Sequence, residues 1–294
     1  MEKNQNIRKG TIFMLTSSLF FALMQMSVKF TGGRIPVFEQ VFFRNLITLI
    51  LCGFLVKKNG ERFFGTKESR PWLFLRSILG YLGVVAYFYC INHMPTADAT
   101  ILQKSSPIFV MIFALFFLKE SLTKTKLAVL ILSFIGAMFV VRPEFNSRVF
   151  PALVGLGSAA FAGGAYTTLS YVNKMEKTNT IIFFFSLVSS LLSLPLMLSN
   201  FVMPTAMEFF VLLSIGIFAG LAQITLTLGY KYAPASEVSI YTYGTIVFAA
   251  IFGYFLFQDK ISPMTMIGIL LIFGAQYYSF YHNRKLARIK KQYN

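Results

Sequence analysis

Ten apolar runs, each long enough to cross a bilayer, constrain the fold of this chain more than any other feature. A transmembrane α-helix needs about 20 mostly apolar residues, and the runs are continuous rather than alternating like the strands of a membrane barrel. In lipid a helix satisfies its own backbone hydrogen bonds, so we predict an all-α integral membrane protein with ten transmembrane helices. These spans 1 to 10 are predicted at residues 11–31, 37–56, 71–93, 97–118, 124–141, 150–173, 179–199, 206–230, 235–257 and 263–281.

The composition of the 294 residues agrees with a membrane protein. Hydrophobic residues make up 56% and charged residues 13%, whereas soluble domains carry about 25% charged residues. The net charge of +16 does not indicate a nucleic-acid partner, because the basic residues lie in short links between apolar runs. Both cysteines, Cys52 and Cys90, lie inside apolar runs without a second set of metal-ligand residues, so we expect neither a disulfide nor a metal site.

The distribution of lysine and arginine predicts the orientation of the chain. When the amino terminus is placed in the cytoplasm, 19 basic residues fall on the segments of that side and 5 on the opposite links. Because cytoplasmic loops carry the excess of lysine and arginine, both termini are predicted to be cytoplasmic in a multi-pass protein of the cell membrane. Three cations remain inside the spans, namely Arg44, Arg76 and Lys104.

One stretch of the chain occurs twice. Pro95–Glu120 and Pro234–Asp259 align without a gap at an offset of 139 residues, and Lys104 of the first matches Tyr243 of the second. The offset moves five spans along the chain, and because five is odd the two copies point in opposite directions. Inverted repeats are typical of secondary transporters, so we predict two inverted five-helix repeats. The divisions are a first repeat at 1–145, a second at 146–283 and a basic cytoplasmic tail at 284–294.

The chain resembles the drug/metabolite transporter superfamily in its ten-span, EamA-type branch. The resemblance covers essentially the whole chain and rests on Phe42–Asn45 (FFRN), on Pro95–Glu120 with its ending Leu-Lys-Glu, on the spans of Gly136 and Gly274, and on the duplication. It implies a central cavity lined by spans 1 to 4 and 6 to 9, with spans 5 and 10 peripheral. Because members of the family include exporters and uptake systems, the resemblance names no substrate.

Lys104 is the first candidate for substrate binding. It lies seven residues into span 4, roughly 10 Å below the outer surface at the rise of an α-helix, where a cation costs at least about 2.5 kcal/mol. We expect it to neutralise a carboxylate or phosphate of the substrate. The alternative is a structural ion pair with Asp98 or Glu39, in which case the solute is a neutral or cationic metabolite, an amino acid or a drug. Sugar-phosphate relatives carry a further cation on span 9, where this chain has Tyr243.

The other cations and polar side chains complete the predicted site. Arg44 on span 2 is predicted to bind substrate or to hold helices together. Arg76 lies only five residues into span 3, so its long side chain is predicted to reach the cytoplasmic interface. Uncharged polar residues give orientation to a substrate without adding charge. The predicted lining of this kind comprises Gln25, Tyr81, Tyr87, Tyr166, Gln223, Tyr241 and Tyr243.

Three carboxylates are candidates for proton coupling. Asp98 and Glu237 are related by the repeat and lie in the first turn of their helices, and Glu39 follows Pro36. Stabilisation of the helix dipole is the alternative for each. Glu120 and the repeat-related Asp259 are predicted to cap a helix or to pair with a lysine.

The sequence offers no ATP-binding or catalytic motif. We therefore predict a secondary transporter that is not an enzyme and needs no cofactor or metal. Its predicted partners are a small-molecule substrate and membrane lipid, with a homodimer left open.

Overall fold

The structure, a computed structural model, describes residues 6–31, 33–93, 96–141, 149–258 and 262–292, with side chains described except at 91–92, 96–98 and 283–292. These ranges contain helices and connecting turns, without a β-strand. The helices are α1 (Ile7–Phe30), α2 (Val37–Lys58), α3 (Arg70–His93), α4 (Thr96–Gln103), α5 (Ser106–Phe117), α6 (Lys124–Val141), α7 (Val149–Val172), α8 (Thr178–Leu198), α9 (Ala206–Tyr232), α10 (Ala235–Val238), a 3₁₀ turn (Ser239–Tyr243), α11 (Gly244–Phe257) and α12 (Pro263–Gln292).

The ten predicted spans are confirmed as helices of membrane length and composition. Except at the end of span 10, their ends agree with the prediction to within a few residues; the helix of span 1 begins at Ile7. The last helix runs on to Gln292, so the predicted basic tail continues span 10 as helix. Many large apolar side chains face outward, among them Phe116 at 71% and Phe255 at 73% exposure, as expected where the surrounding solvent is lipid.

Span 4 was predicted as one helix, but it is broken at Lys104 and Ser105 into α4 and α5. The cause is Pro107, which lies in the first turn of α5. Proline has no backbone N–H to donate, and its ring collides with the carbonyl four residues earlier. That carbonyl belongs to Gln103, the last residue of α4. The break therefore places Lys104 at the junction between two helix segments.

Span 9 is broken at the corresponding position, although it contains no proline there. A 3₁₀ turn over Ser239–Tyr243 separates α10 from α11, and Tyr243 is the residue that matches Lys104. The break is stabilised by side chains that bond its carbonyls. The Ser18 hydroxyl donates to Tyr241 O at 2.9 Å, and the Gln276 amide donates to Ile240 O at 3.4 Å. Neighbouring spans thus satisfy backbone groups that a regular helix would satisfy itself.

The same two spans also end alike. Lys119, after span 4, has φ of 55°, and Gln258, after span 9, has φ of 56°. Among the described residues these are the non-glycine residues in the left-handed region, and they are 139 positions apart. A left-handed residue after the last turn is a common way to end an α-helix. The two stretches that match in sequence therefore share both a broken helix and a left-handed end.

The spans pack in pairs that bring distant parts of the chain together. Span 1 lies against span 8, span 2 against span 7, span 3 against span 6, and span 5 against span 10; span 4 also lies on span 6, and span 9 on span 1. If each span is replaced by the span five places away in the chain, the same set of pairs results; for example, the pair of spans 1 and 8 becomes the pair of spans 6 and 3. Glycines allow the closest approaches: a Cβ on Gly163 would lie 2.5 Å from the Cβ of Phe109, and a Cβ on Gly136 would lie 2.8 Å from Gly268 O.

Candidate functional site

A cavity of about 280 Å³ lies beside the break in span 4. Lys104 enters it from the junction of α4 and α5, and its side chain is only partly buried. The remaining lining combines four polar side chains with an apolar wall. The lining residues are Gln25, Thr100, Lys104, Val140, Val141, Thr245, Ile246, Ala249, Ala250 and Thr265. Two predicted site residues, Lys104 and Gln25, are thus brought together from spans 4 and 1.

The wall of this cavity includes residues of spans 5 and 10. Spans 5 and 10 were expected to be peripheral, yet Val140 and Val141 of span 5 and Thr265 of span 10 form part of the wall. The reason is packing: span 5 lies directly against span 10 at Gly136 and Gly268, and both reach the broken part of span 9.

Lys104 has no carboxylate within ion-pair distance among the side chains that the structure describes. Glu39, one of its predicted alternative partners, is fully buried and instead accepts a hydrogen bond from the backbone N–H of Val202 at 3.0 Å. The side chain of Asp98, the other alternative, lies outside the described residues. Within that range, the Lys104 ammonium faces the cavity without a compensating negative charge.

A second cationic group lies deeper in the bundle, and here the structure corrects the prediction for Arg76. This side chain does not reach the interface; it is 3% exposed, and its guanidinium lies 4.2 Å from the centre of the Phe185 ring. It interacts electrostatically with Arg44, Tyr166 and Tyr230. We call these four residues, Arg44, Arg76, Tyr166 and Tyr230, the arginine cluster. They come from spans 2, 3, 6 and 8.

Two aromatic rings form one wall of the arginine cluster. Tyr166 and Tyr230 stack with ring centres 5.6 Å apart and an angle of 17° between the planes. Tyr230 continues a polar stripe on span 8 with Gln223 and Thr227, at the spacing that puts residues on one helix face. Each of these three side chains has a buried oxygen without a hydrogen-bond partner among the described residues. Tyr166, Gln223 and Arg44 were predicted site residues; Arg76, Tyr230 and Thr227 were not.

The remaining predicted tyrosines are engaged differently. The Tyr81 hydroxyl donates to Leu192 O at 2.9 Å and so ties span 3 to span 7. The Tyr87 hydroxyl lies 3.2 Å from the Thr100 hydroxyl, which lines the cavity. Tyr241 and Tyr243 are 1% and 0% exposed, and neither belongs to the cavity wall. Substrate binding by these four tyrosines stays a prediction.

A network of charged groups joins the link after span 4 to the start of span 9. The Glu120 carboxylate accepts hydrogen bonds from the backbone N–H groups of Ala235 and Ser236, each at 2.9 Å, and from the Ser236 hydroxyl at 2.6 Å. Beside it, the Lys126 ammonium lies 2.9 Å from a Glu237 carboxylate oxygen. Glu120 thus caps the helix start of another span. A proton-coupling role for Glu237, Glu39 or Asp98 stays a prediction.

Comparison with known proteins identifies relatives over the whole chain. A model of the EamA-like transporter family matches residues 8–142 and 149–281. The pseudopaline exporter of Pseudomonas aeruginosa is 34% identical over 268 residues, which cover 90% of this chain and 94% of the exporter. The S-adenosylmethionine uptake transporter of Rickettsia prowazekii is 26% identical over 284 residues, which cover 94% of each chain.

The fold also matches a known crystal structure. The TM-score is 0.84 at 17% sequence identity, and the match covers 95% of this chain and 99% of the other. At that identity the similarity concerns the fold alone. The arrangement of ten helices described above is therefore one that occurs in an experimentally determined protein.

Proposed function

Because the chain belongs to the EamA-like transporter family, whose named relatives are transporters and not enzymes, we propose that it is a secondary transporter of a small organic solute with an anionic group. The observation that carries the proposal is Lys104. Its ammonium lies at a helix break, faces a cavity of about 280 Å³ and has no described carboxylate partner. An intramembrane cation without a partner is costly and marks a substrate pathway.

We further propose alternating access around a central cavity, in a fold of two inverted repeats with both termini in the cytoplasm. The symmetric pairing of the spans, the two breaks at matching positions and the two left-handed ends support the repeat. Broken helices at the interface of two repeats surround the substrate in many transporters. The excess of basic residues on one set of links supports the orientation.

The first solute to test is pseudopaline, which the name of the 34% identical relative identifies as its cargo. We propose export as the direction for the same reason. The uptake transporter of S-adenosylmethionine is less similar, at 26% identity. This second solute serves as the comparison. If Lys104 is a structural cation, transport should not depend on an anionic group of the solute.

Flux measurements in proteoliposomes test the role of Lys104. We expect the wild-type protein to move pseudopaline, Lys104→Ala to lose most of the flux, and Lys104→Arg to retain part of it because the charge remains. The matched control is Lys174→Ala, which removes an exposed lysine in the link after span 6. Unchanged pseudopaline flux in Lys104→Ala would show that Lys104 does not bind the solute. Flux of S-adenosylmethionine that persists in Lys104→Ala would favour the alternative, because this solute is a net cation that also carries a carboxylate.

A further inference from the structure

The arginine cluster contains two guanidinium groups that lack an acceptor. Neither Arg44 nor Arg76 donates a side-chain hydrogen bond to a described residue, and the Nε atom of each is buried. Each guanidinium carries five N–H donors. No described carboxylate lies within ion-pair distance of either group. A buried charge is stable only when it is paired and hydrogen-bonded. Arg76 is 3% exposed and Arg44 is partly buried, so each guanidinium is costly to hold in the bundle without an anionic partner.

The surroundings of Arg76 hold its guanidinium in place rather than neutralise it. The ring of Phe185 lies under the group at 4.2 Å. On another side the backbone of Gly80 comes so close that a Cβ there would lie 2.6 Å from the Arg76 Nη1 atom. The Arg76 side chain is therefore held between an aromatic ring and the backbone of a glycine, and its position does not depend on a ligand. Preorganised donors of this kind fit a carboxylate, which accepts two parallel N–H bonds.

The cluster also contributes hydroxyl groups. The Tyr230 hydroxyl is buried and has no hydrogen-bond partner in the described part of the chain, and Tyr230 stacks on Tyr166. Phenol hydroxyls donate hydrogen bonds to carboxylate oxygens, and their rings exclude water from the charged groups. Guanidinium and phenol donors together therefore complement an oxygen anion.

The arginine cluster and Lys104 lie at different depths. Helix α3 ends at His93 and α4 begins at Thr96, so both depths are counted from these two helix ends, which are three residues apart in the sequence. Arg76 lies 17 residues before the end of α3, and Lys104 lies 8 residues after the start of α4. At 1.5 Å per residue the two Cα atoms differ by roughly 13 Å along the helix axes. A solute that binds the ammonium and a guanidinium at once would therefore have to span the part of this distance that the two long side chains do not cover.

We propose that the arginine cluster is a second anion site, and that the solute carries at least two acidic groups, one bound at Lys104 and the other between Arg44 and Arg76. This inference rests on the proposed function, because it extends the site of the transported solute. It assigns binding to Arg76 and Tyr230, with Arg44 completing the guanidinium pair. The substrate class is thus narrowed from an organic anion to an organic compound with two or more carboxylates or equivalent acidic groups.

Ligand-dependent thermal unfolding of the full-length protein in detergent tests the second site. The probes are succinate, glutarate, adipate and pimelate, each compared with its own monoamide, which retains one carboxylate and replaces the other by a neutral group. In the wild type we expect the best-fitting dicarboxylate to bind about 10- to 100-fold tighter than its monoamide, as hydrogen bonds to a charged group predict. In Arg76→Met and Arg44→Met we expect equal binding of the two. The matched control is Arg8→Met, which removes an exposed arginine.

Each result bears on the proposal. A preference for the dicarboxylate that disappears in Arg76→Met supports it, whereas equal binding in the wild type, or a preference that survives in Arg76→Met, overturns it. If no probe binds, the proposal is tested by comparing the melting temperatures of Arg76→Met and the wild type without ligand. A higher melting temperature for Arg76→Met than for the wild type shows that the Arg76 charge destabilises the protein without ligand, which supports a ligand site. A lower or equal value shows a structural arginine and overturns the proposal.

The same experiment separates this inference from the proposed function. If monoamide binding is lost in Lys104→Ala but no dicarboxylate preference exists, the anionic solute stands and the second site fails. If neither probe depends on Lys104 while the dicarboxylate depends on Arg76, the role of Lys104 fails and the anion site of the arginine cluster stands.

Discussion

The carboxylate of Glu120 should hold the link after span 4 against the start of span 9. It accepts three hydrogen bonds, from two backbone N–H groups and one hydroxyl of Ala235 and Ser236. The substitution Glu120→Gln keeps the size of the side chain but leaves only one oxygen. Its NH₂ group must then face the backbone N–H of either Ala235 or Ser236, so a backbone donor loses its acceptor and the remaining bonds lose their charge.

The expected effect follows from these contacts. Hydrogen bonds to a charged group contribute about 1.5–3 kcal/mol each. Glu120 is partly exposed, so we expect a total loss of about 2–3 kcal/mol, which corresponds to roughly 30- to 150-fold in an equilibrium constant. Under alternating access this contact must break when that end of the bundle opens. Glu120→Gln should therefore increase the population of the opened state by such a factor.

Thiol labelling measures this opening. Ser239 lies in the 3₁₀ turn directly after α10 and is 1% exposed, so the reporter substitution Ser239→Cys should react only when the end of span 9 separates from its neighbours. The two native cysteines are buried and give a low background. We expect faster labelling in Glu120→Gln than in the wild type, both carrying the reporter. Glu68→Gln, at an exposed carboxylate, is the control. An unchanged labelling rate and melting temperature in Glu120→Gln would refute this account.

Two further predictions concern the backbone. Pro107→Ala supplies an N–H that can bond to Gln103 O, so the break in span 4 should close; we expect lower solute flux in proteoliposomes without a lower melting temperature. Gly136→Leu places a side chain 2.8 Å from Gly268 O, and such overpacking costs about 1–3 kcal/mol. Thermal unfolding should show the loss, whereas Gly157→Leu, with nothing within 4 Å of its Cβ, should melt like the wild type.

The spans could be predicted because a bilayer demands about 20 apolar residues whatever the tertiary structure is. The two breaks were missed for different reasons. In span 4, Pro107 carried the signal, and its effect on Gln103 follows from proline chemistry alone. In span 9 no local residue indicates the break, because the break depends on hydrogen bonds that Ser18 and Gln276 donate to the carbonyls of the 3₁₀ turn. Contacts between residues so far apart in the sequence cannot be derived from the local pattern of residue types.

The site was only partly predictable for a similar reason. Lys104 could be recognised because a lysine inside an apolar run needs an explanation wherever it lies. Arg76 was predicted to reach the cytoplasmic interface, because the sequence indicated only how far along span 3 the residue lies. Its burial results from Phe185, which is on another span, and from the absence of a side chain at Gly80. A glycine one turn after an intramembrane arginine was the available signal.

The 3₁₀ turn of span 9 has a consequence for the mechanical units of the transporter. Its carbonyls are bonded by span 1 and span 10, and in lipid they cannot be left unsatisfied at low cost. If the proposed alternating access moves span 9, we therefore expect spans 1 and 10 to move with it, although span 1 lies at the opposite end of the chain. Under the proposed alternating access, we expect each moving body to combine spans of both sequence repeats, as in a domain-swapped dimer joined into one polypeptide. Either repeat expressed alone should then lack the spans that complete such a body.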